Sequence, residues 1–203
     1  LGWCYQVGTG VEKDEKQAVE WFRKAAEQDY PAAQDNLGSC YYSGSGIEKD
    51  EKQAVEWYRK AAEQGFARAQ TNLGWCYQVG TGVEKDEKQA IEWYSKAAEQ
   101  NHLPALNHLG MCYESGLGVE KDVKQAFEWY SKAAEQGFAE AQVNMGGFYW
   151  SLVEEDTGVE KDDKQAVEWF RKAVEQDSAL GQTMLGVCYE SGTGVEKDEK
   201  QAV

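Results

Sequence analysis

The stretch Leu1-Gly2-Trp3-Cys4-Tyr5 returns as Leu37-Gly38-Ser39-Cys40-Tyr41, as Leu73-Gly74-Trp75-Cys76-Tyr77 and as Leu109-Gly110-Met111-Cys112-Tyr113, a step of 36 residues. A second motif, Glu-Lys-Asp, keeps the same step, ending at Asp14, Asp50, Asp86 and Asp122, then at Asp162 and Asp198. A four-residue insertion between Met145 and Asp162 makes the one break in phase. A period of this size predicts a solenoid of small units, each unable to bury its apolar face alone and covered by its neighbours. Repeats begin at residues 1, 37, 73, 109, 145 and 185, and 1–203 reads as a single solenoid domain. Starting at Leu1 and stopping at Val203, both inside a motif, the chain reads as a piece of a longer protein.

The third repeat shows the local logic. Asp86 can cap a helix, with Gln89 three residues on as its capping-box partner, and the pair recurs from Asp14/Gln17 to Asp198/Gln201. Ala90, Trp93, Tyr94, Ala97 and Ala98 then fall at i, i+3, i+4, i+7 and i+8, a core-facing stripe. Glu92 and Lys96 form a favourable i,i+4 pair on the wet face, as do Glu20 and Lys24. Gly65 and Gly137 mark the stop, where a left-handed residue is wanted; Asp29, Asn101 and Asp177 replace them elsewhere. This is the second helix of the repeat, helix B.

Helix A comes from segments such as 67–79, with Pro31 and Pro104 at first-turn positions. Its stripe is Ala69, Leu73, Cys76, Tyr77 and Gly80. Gly38, Gly74, Gly110, Gly146 and Gly186 lie mid-helix at about 1 kcal/mol each against alanine, which implies close helix–helix approach. The expected partners are the Ala-Ala pairs of helix B, such as Ala61-Ala62.

The pattern Ala-x-x-x-Leu-Gly-x-x-Tyr, then Gly-x-Gly-Val-x-x-Asp, then Lys-x-Ala-x-x-Trp-Tyr-x-Lys-Ala-Ala-Glu-x-Gly resembles the Sel-one-like repeat, a relative of the tetratricopeptide-like α/α solenoids. The likeness covers essentially the whole chain. It implies an all-α fold, a right-handed α/α superhelix of about five and a half helix-turn-helix repeats with helices A lining a concave surface. It also implies a scaffold that grips an extended peptide or a helical segment of another protein. Some bacterial members carry paired cysteines in each repeat; this chain has one per repeat, so that subgroup is not implied.

Composition narrows the partner. The formal net charge is −15, spread along the chain. That disfavours nucleic acid, whose phosphates need Lys and Arg, and favours basic or apolar protein partners. No apolar run approaches a membrane span, so no membrane insertion is expected. Cys4, Cys40, Cys76, Cys112 and Cys188 share one repeat slot, filled by Phe148 in the fifth, so the slot is apolar and five free, buried thiols are expected. Free thiols favour the cytoplasm, although a longer parent could carry targeting signals.

Catalytic, cofactor and metal readings find little support. Gly8-Thr9-Gly10 and its copies precede a helix, but Glu12, Asp14 and Glu15 crowd the loop with negative charge, so they read as turns. No Cys-x-x-Cys supports zinc, and the acidic loops lack calcium-ligand spacing. His108 and Cys112 share a helix face, yet His108 stands where Asn36, Asn72 and Asn144 stand elsewhere, and Cys112 fills the packing slot. No catalytic residue and no cofactor are assigned.

The varying positions locate the candidate interface. Two before, two after and five after the repeat leucine, the chain reads Asp35, Ser39, Tyr42; Thr71, Trp75, Gln78; and Asn107, Met111, Glu114. The fifth repeat supplies Val143 and Trp150, the sixth Val187 and Glu190. These residues are expected to form the protein-binding concave face, with aromatic and Met anchors. The alternatives are a structural spacer or a rod stacking end to end through its truncated ends, and an enzyme, such as a hydrolase, with its active site in a repeat groove. The insertion 151–156 is expected to lengthen helix A of the fifth repeat by about one turn, ending in an acidic protrusion.

Overall fold

Each helix B starts at an aspartate that caps it. Asp14 Oδ1 accepts the backbone N–H groups of Lys16 and Gln17 at 3.0 and 3.1 Å, and Asp50, Asp86 and Asp162 repeat the arrangement. The reciprocal glutamine bond of a capping box does not form. The aspartate N–H instead donates to a tyrosine carbonyl of the preceding helix A: Asp14 to Tyr5, Asp50 to Tyr41, Asp86 to Tyr77, each at 2.9 Å. One N–H has one proton to give, and this bond spends it on closing the loop.

The computed structural model describes residues 1–151, 160–198 and 200. Among them lie eleven α-helices and no strand. The chain divides into two compact units, 1–102 and 103–203. The first holds α1 (Gly2–Val7), α2 (Glu15–Ala26), α3 (Pro31–Ser43), α4 (Glu51–Glu63), α5 (Ala67–Val79) and α6 (Glu87–Glu99). The second holds α7 (Leu103–Ser115), α8 (Val123–Ala134), α9 (Ala139–Trp150), α10 (Asp163–Val174) and α11 (Ala179–Ser191). Odd-numbered helices are helices A, even-numbered ones helices B. Helix B ends at left-handed residues as expected: Gly65 and Gly137 at φ 85°, Asp29, Asn101 and Asp177 at 58–60°.

Within each unit every helix packs on its chain neighbours. In the first, α2 and α3 bury Ala18, Phe22, Leu37 and Cys40 together, and α4 and α5 bury Tyr58, Ala61, Ala62, Leu73 and Cys76. Mid-helix glycines do mark close approach, but the partner is a ring. A Cβ on Gly74 would lie 2.8 Å from the Tyr94 ring and 3.1 Å from Ala90 O; Gly38 meets Tyr58, and Gly110 meets Tyr130, in the same way. The Ala61-Ala62 pair packs toward Ala69 and Leu73 of the following helix A instead.

Two further expectations change. Lys96 Nζ sits 4.0 Å from the Trp93 ring centroid rather than on Glu92, and Lys24, Lys60, Lys132 and Lys172 cover Trp21, Trp57, Trp129 and Trp169 likewise. The lysine stem can lie along the indole while its ammonium stays wet, which an exposed carboxylate cannot offer. The lengthened fifth helix A is also absent where it can be seen: α9 stops at Trp150 and Ser151 is extended, at φ −76° and ψ 153°. The rest of that expectation, residues 152–156, lies outside the described residues.

All five cysteines are free; four are buried, whereas Cys4 is only half-buried because α1 is packed by α2 on one side. Burial pushes the Cys40 thiol up to about 11 and Cys76 to about 12, each reinforced by a nearby glutamate. Thiolate is the reactive form. Iodoacetamide at pH 8 is therefore expected to alkylate Cys4 first and Cys40 and Cys76 at least tenfold more slowly than in denaturant. Equal rates at all three, read by peptide mass spectrometry, would contradict this packing.

Candidate interaction surface

Helix A turns about 100° per residue, so a shift of one position decides whether a side chain meets water or a neighbour. In α5 the outward stripe is Arg68, Asn72, Trp75 and Val79, all half-buried or exposed; Thr71 between them is buried. The equivalent stripe in α7 is Pro104, His108, Met111 and Ser115, and in α9 Glu140, Asn144 and Gly147.

In the second to fifth repeats the position two before the leucine, or before Met145, does not reach solvent; in the sixth, Thr183 is exposed. Asp35, Thr71, Asn107 and Val143 are 0%, 6%, 8% and 5% exposed. Their side chains lie in the seam between packed helices, so these four leave the candidate surface. Asp35 accepts from Arg68 Nε and, at 2.8 Å, from Asn72 Nδ2, both on the next helix A. Asn107 Oδ1 accepts from Asn144 Nδ2 at 2.8 Å. Val143 joins the apolar cluster of Ala166, Phe170 and Cys188.

Electrostatics follow from that burial. Desolvation raises the Asp35 carboxyl above the usual carboxylate range, opposed by the Arg68 charge and by hydrogen bonds from Asn72 and Arg68. Thr71 Oγ1 lies 2.9 Å from His102 Nδ1 and 3.0 Å from Ala67 O. With the hydroxyl proton directed at Ala67, the neutral ring carries its proton on Nδ1. Burial and the Arg68 charge hold His102 below its ordinary value.

In the third to fifth repeats the position five after the leucine, or after Met145, rests on the aromatic of helix B. Tyr94 O–H donates to Gln78 at 2.7 Å, Tyr130 O–H donates to Glu114 at 2.8 Å, and Trp150 stands edge-on to Phe170 at 5.7 Å. Ser39 Oγ donates to Asp35 O at 3.0 Å and accepts from Tyr58 O–H at 3.2 Å. Tyr42 and Trp75 meet edge to face, with ring centroids 5.4 Å apart and planes at 89°. Together with Tyr58 and Asn72 they line a cleft of about 180 Å³. Met111 and Val187 are each 40% exposed, and Glu114 and Glu190 are exposed too.

The spacing Arg68, Asn72, Trp75, an i, i+4, i+7 run, was available to find Arg68 and Asn72. The buried glutamines carried a periodic signal, since Gln34, Gln70 and Gln142 share one repeat slot, but it went unused in locating the candidate surface. Gln34, Gln70 and Gln142 each donate to the carbonyl of an alanine in the last turn of the previous helix B and accept from Gln64, Gln100 and Gln176 respectively at 2.8 Å.

Among the described residues no group of three His, Cys, Asp or Glu converges to hold a metal ion, and no helix is long and apolar enough to cross a membrane. The Sel1 repeat model matches residues 1–30, 31–66, 67–102, 103–138, 139–178 and 179–203. No curated protein matches the chain. A Sel1 repeat protein from Oxalobacter formigenes is similar at 37% identity and TM-score 0.90, over 99% of this chain and 79% of that one. A protective antigen of uropathogenic Escherichia coli strains, displaying an SLR fold, is similar at 41% identity and TM-score 0.81 over the whole of this chain. This chain spans only 42% of that antigen's length. Helicobacter pylori cysteine rich protein B is similar at 32% identity and TM-score 0.51, over 66% of this chain and 96% of that one. Sel1 repeat proteins are generally protein–protein interaction scaffolds and typically non-catalytic. Six consecutive matches account for the whole length, and the chain belongs to the Sel1 repeat family.

Proposed function

We propose that the chain binds a peptide or helical segment of another protein on the outward stripes of its helices A. The observation that carries this reading is the Tyr42–Trp75 pair, half-buried and edge to face beside an open cleft with Asn72 at its wall. A rigid aromatic pair next to a hydrogen-bonding amide is the composition of an energetic hot spot. Of the residues first assigned, Ser39, Tyr42, Trp75 and Gln78 remain on the surface in the first unit. Met111, Glu114, Trp150, Val187 and Glu190 remain in the second. Their acidity supports a basic or apolar partner.

Tyr42→Ala combined with Trp75→Ala is expected to weaken partner capture from a native lysate at least tenfold, the loss expected of truncated hot spots. Circular dichroism should keep its helical signal. Undiminished capture by a folded double variant would sink this surface. End-to-end self-association is a second reading, favoured by Leu1, Trp3 and Val7, which are 70%, 59% and 49% exposed on or beside α1. A light-scattering mass that stays monomeric across concentration would remove it.

A further inference from the structure

The fifth repeat carries two glycines where one would satisfy the packing. Gly146 is required: a Cβ there would run into the Phe170 ring. Gly147 is not, since a Cβ added to it would meet nothing within 4 Å. A mid-helix glycine costs about 1 kcal/mol against alanine, and neither strain nor close approach explains this one. The same position holds Trp75 in the third repeat, Met111 in the fourth and Val187 in the sixth.

What the missing side chain leaves is a hollow. A cavity of about 440 Å³ opens over Gly147, lined by Val143 and Phe148 of α9 and by Leu180 and Met184 of α11, with Glu114 of α7 beside them. The size falls within the range of about 300–1,000 Å³ typical of ligand sites. Leu180 is 54% exposed, so its apolar side chain awaits cover. Glu114 stays exposed even while it accepts the Tyr130 hydroxyl, and Glu140 is exposed two turns from Gly147 on the same stripe. Lys121 also borders the cavity but has a partner of its own.

We infer that the Gly147 hollow is the anchor pocket for a segment of a second protein in which a bulky apolar side chain lies within one helical turn of Arg or Lys. The apolar group enters over Gly147, where it removes Leu180 and Met184 from water. The cation meets Glu114 or Glu140, the charge complementarity that the acidic chain supplies. This rests on the interaction surface proposed above, and names the partner chemistry for its second unit.

The probe is an acetylated, amidated dodecapeptide with one central Trp and two Arg in an Ala/Gln background. Trp→Ser and Arg→Glu versions serve as controls, and free indole as a small-molecule control. Binding is read by fluorescence anisotropy and by the amide NMR shifts of Gly147, Leu180 and Met184. The Trp/Arg peptide should move these amides and bind at least tenfold more tightly than either control peptide. Gly147→Trp, which fills the hollow without a clash at Cβ, should weaken it tenfold or more, as should Leu180→Asp. Tyr42→Ala with Trp75→Ala should leave it unchanged. No binding of the Trp/Arg peptide up to millimolar concentration overturns the inference. So does binding indifferent to Gly147→Trp and Leu180→Asp, or indole occupying the site as tightly as the peptide. Partner capture lost in the Tyr42/Trp75 variant yet intact in Gly147→Trp would overturn the pocket while leaving the surface standing; capture insensitive to both would remove both.

Discussion

Gly82→Ala is expected to destabilise the first unit by about 2–5 kcal/mol, while Gly65→Ala costs only about 1–2 kcal/mol. Both glycines have positive φ, 69° and 85°. An L-residue in that region costs about 1–2 kcal/mol at either site. The difference lies in what a Cβ meets. At Gly65 it meets nothing within 4 Å, whereas at Gly82 it lands on the Glu51 carbonyl at the start of α4. Backbone cannot swing aside as a flexible side chain can, so overpacking adds roughly 1–3 kcal/mol. Gly46 against Glu15 and Gly194 against Asp163 repeat the contact, so the second glycine of Gly-x-Gly is where one repeat seats on the last. Gly65→Asn should cost less than Gly65→Ala, since Asn101 already holds that conformation in its own repeat. Urea midpoints decide the matter: equal losses for Gly82→Ala and Gly65→Ala would mean this seat is not close.

Arg68→Ala is expected to cost about 2 kcal/mol at pH 7, below the 3–5 kcal/mol typical of a broken buried pair because Arg68 is half-exposed. The side chain of Asp35 has no exposure and that of Arg68 has 50%, so the loss is mainly an orphaned carboxylate in the seam. The pH dependence tests the cause. Asp35 titrates above its unfolded value, so its contribution favours folding at low pH and is lost as pH rises through the folded pKa. Removing Arg68 raises that pKa further. The penalty should therefore shrink as pH falls toward the ordinary carboxylate range, where Asp35 is protonated in both states. Asp35→Asn should restore much of the loss at pH 7. A penalty independent of pH between 4 and 7, and undiminished by Asp35→Asn, would refute this account.

Trp75 and Thr71 show how far periodicity reaches in a solenoid. Both lie on the flank of helix A that varies between repeats, and variation alone drew them into one surface. The coordinates separate them: Trp75 stays half-buried at the cleft, while Thr71 is buried against His102. Two residues that vary together need not share an environment, because a seam between polar side chains tolerates Asp35, Thr71 or Asn107 so long as each finds a partner. The candidate surface was thus legible to within one position of helical phase.

Leu37, Leu73 and Leu109, the aspartate caps and the left-handed stops at Gly65 and Asn101 were readable because each depends on neighbours within a turn or two, or on a period that the chain states again and again. Helical content, the repeat period and the apolar cysteine slot all follow from such local chemistry. What lies opposite Gly74 and which flank of α3 meets Arg68 depend on side chains 20 to 40 residues away, whose geometry no local pattern encodes. The hollow over Gly147 belongs to that second class. A glycine in sequence is only an absent side chain, and three packed helices are needed to turn that absence into a space.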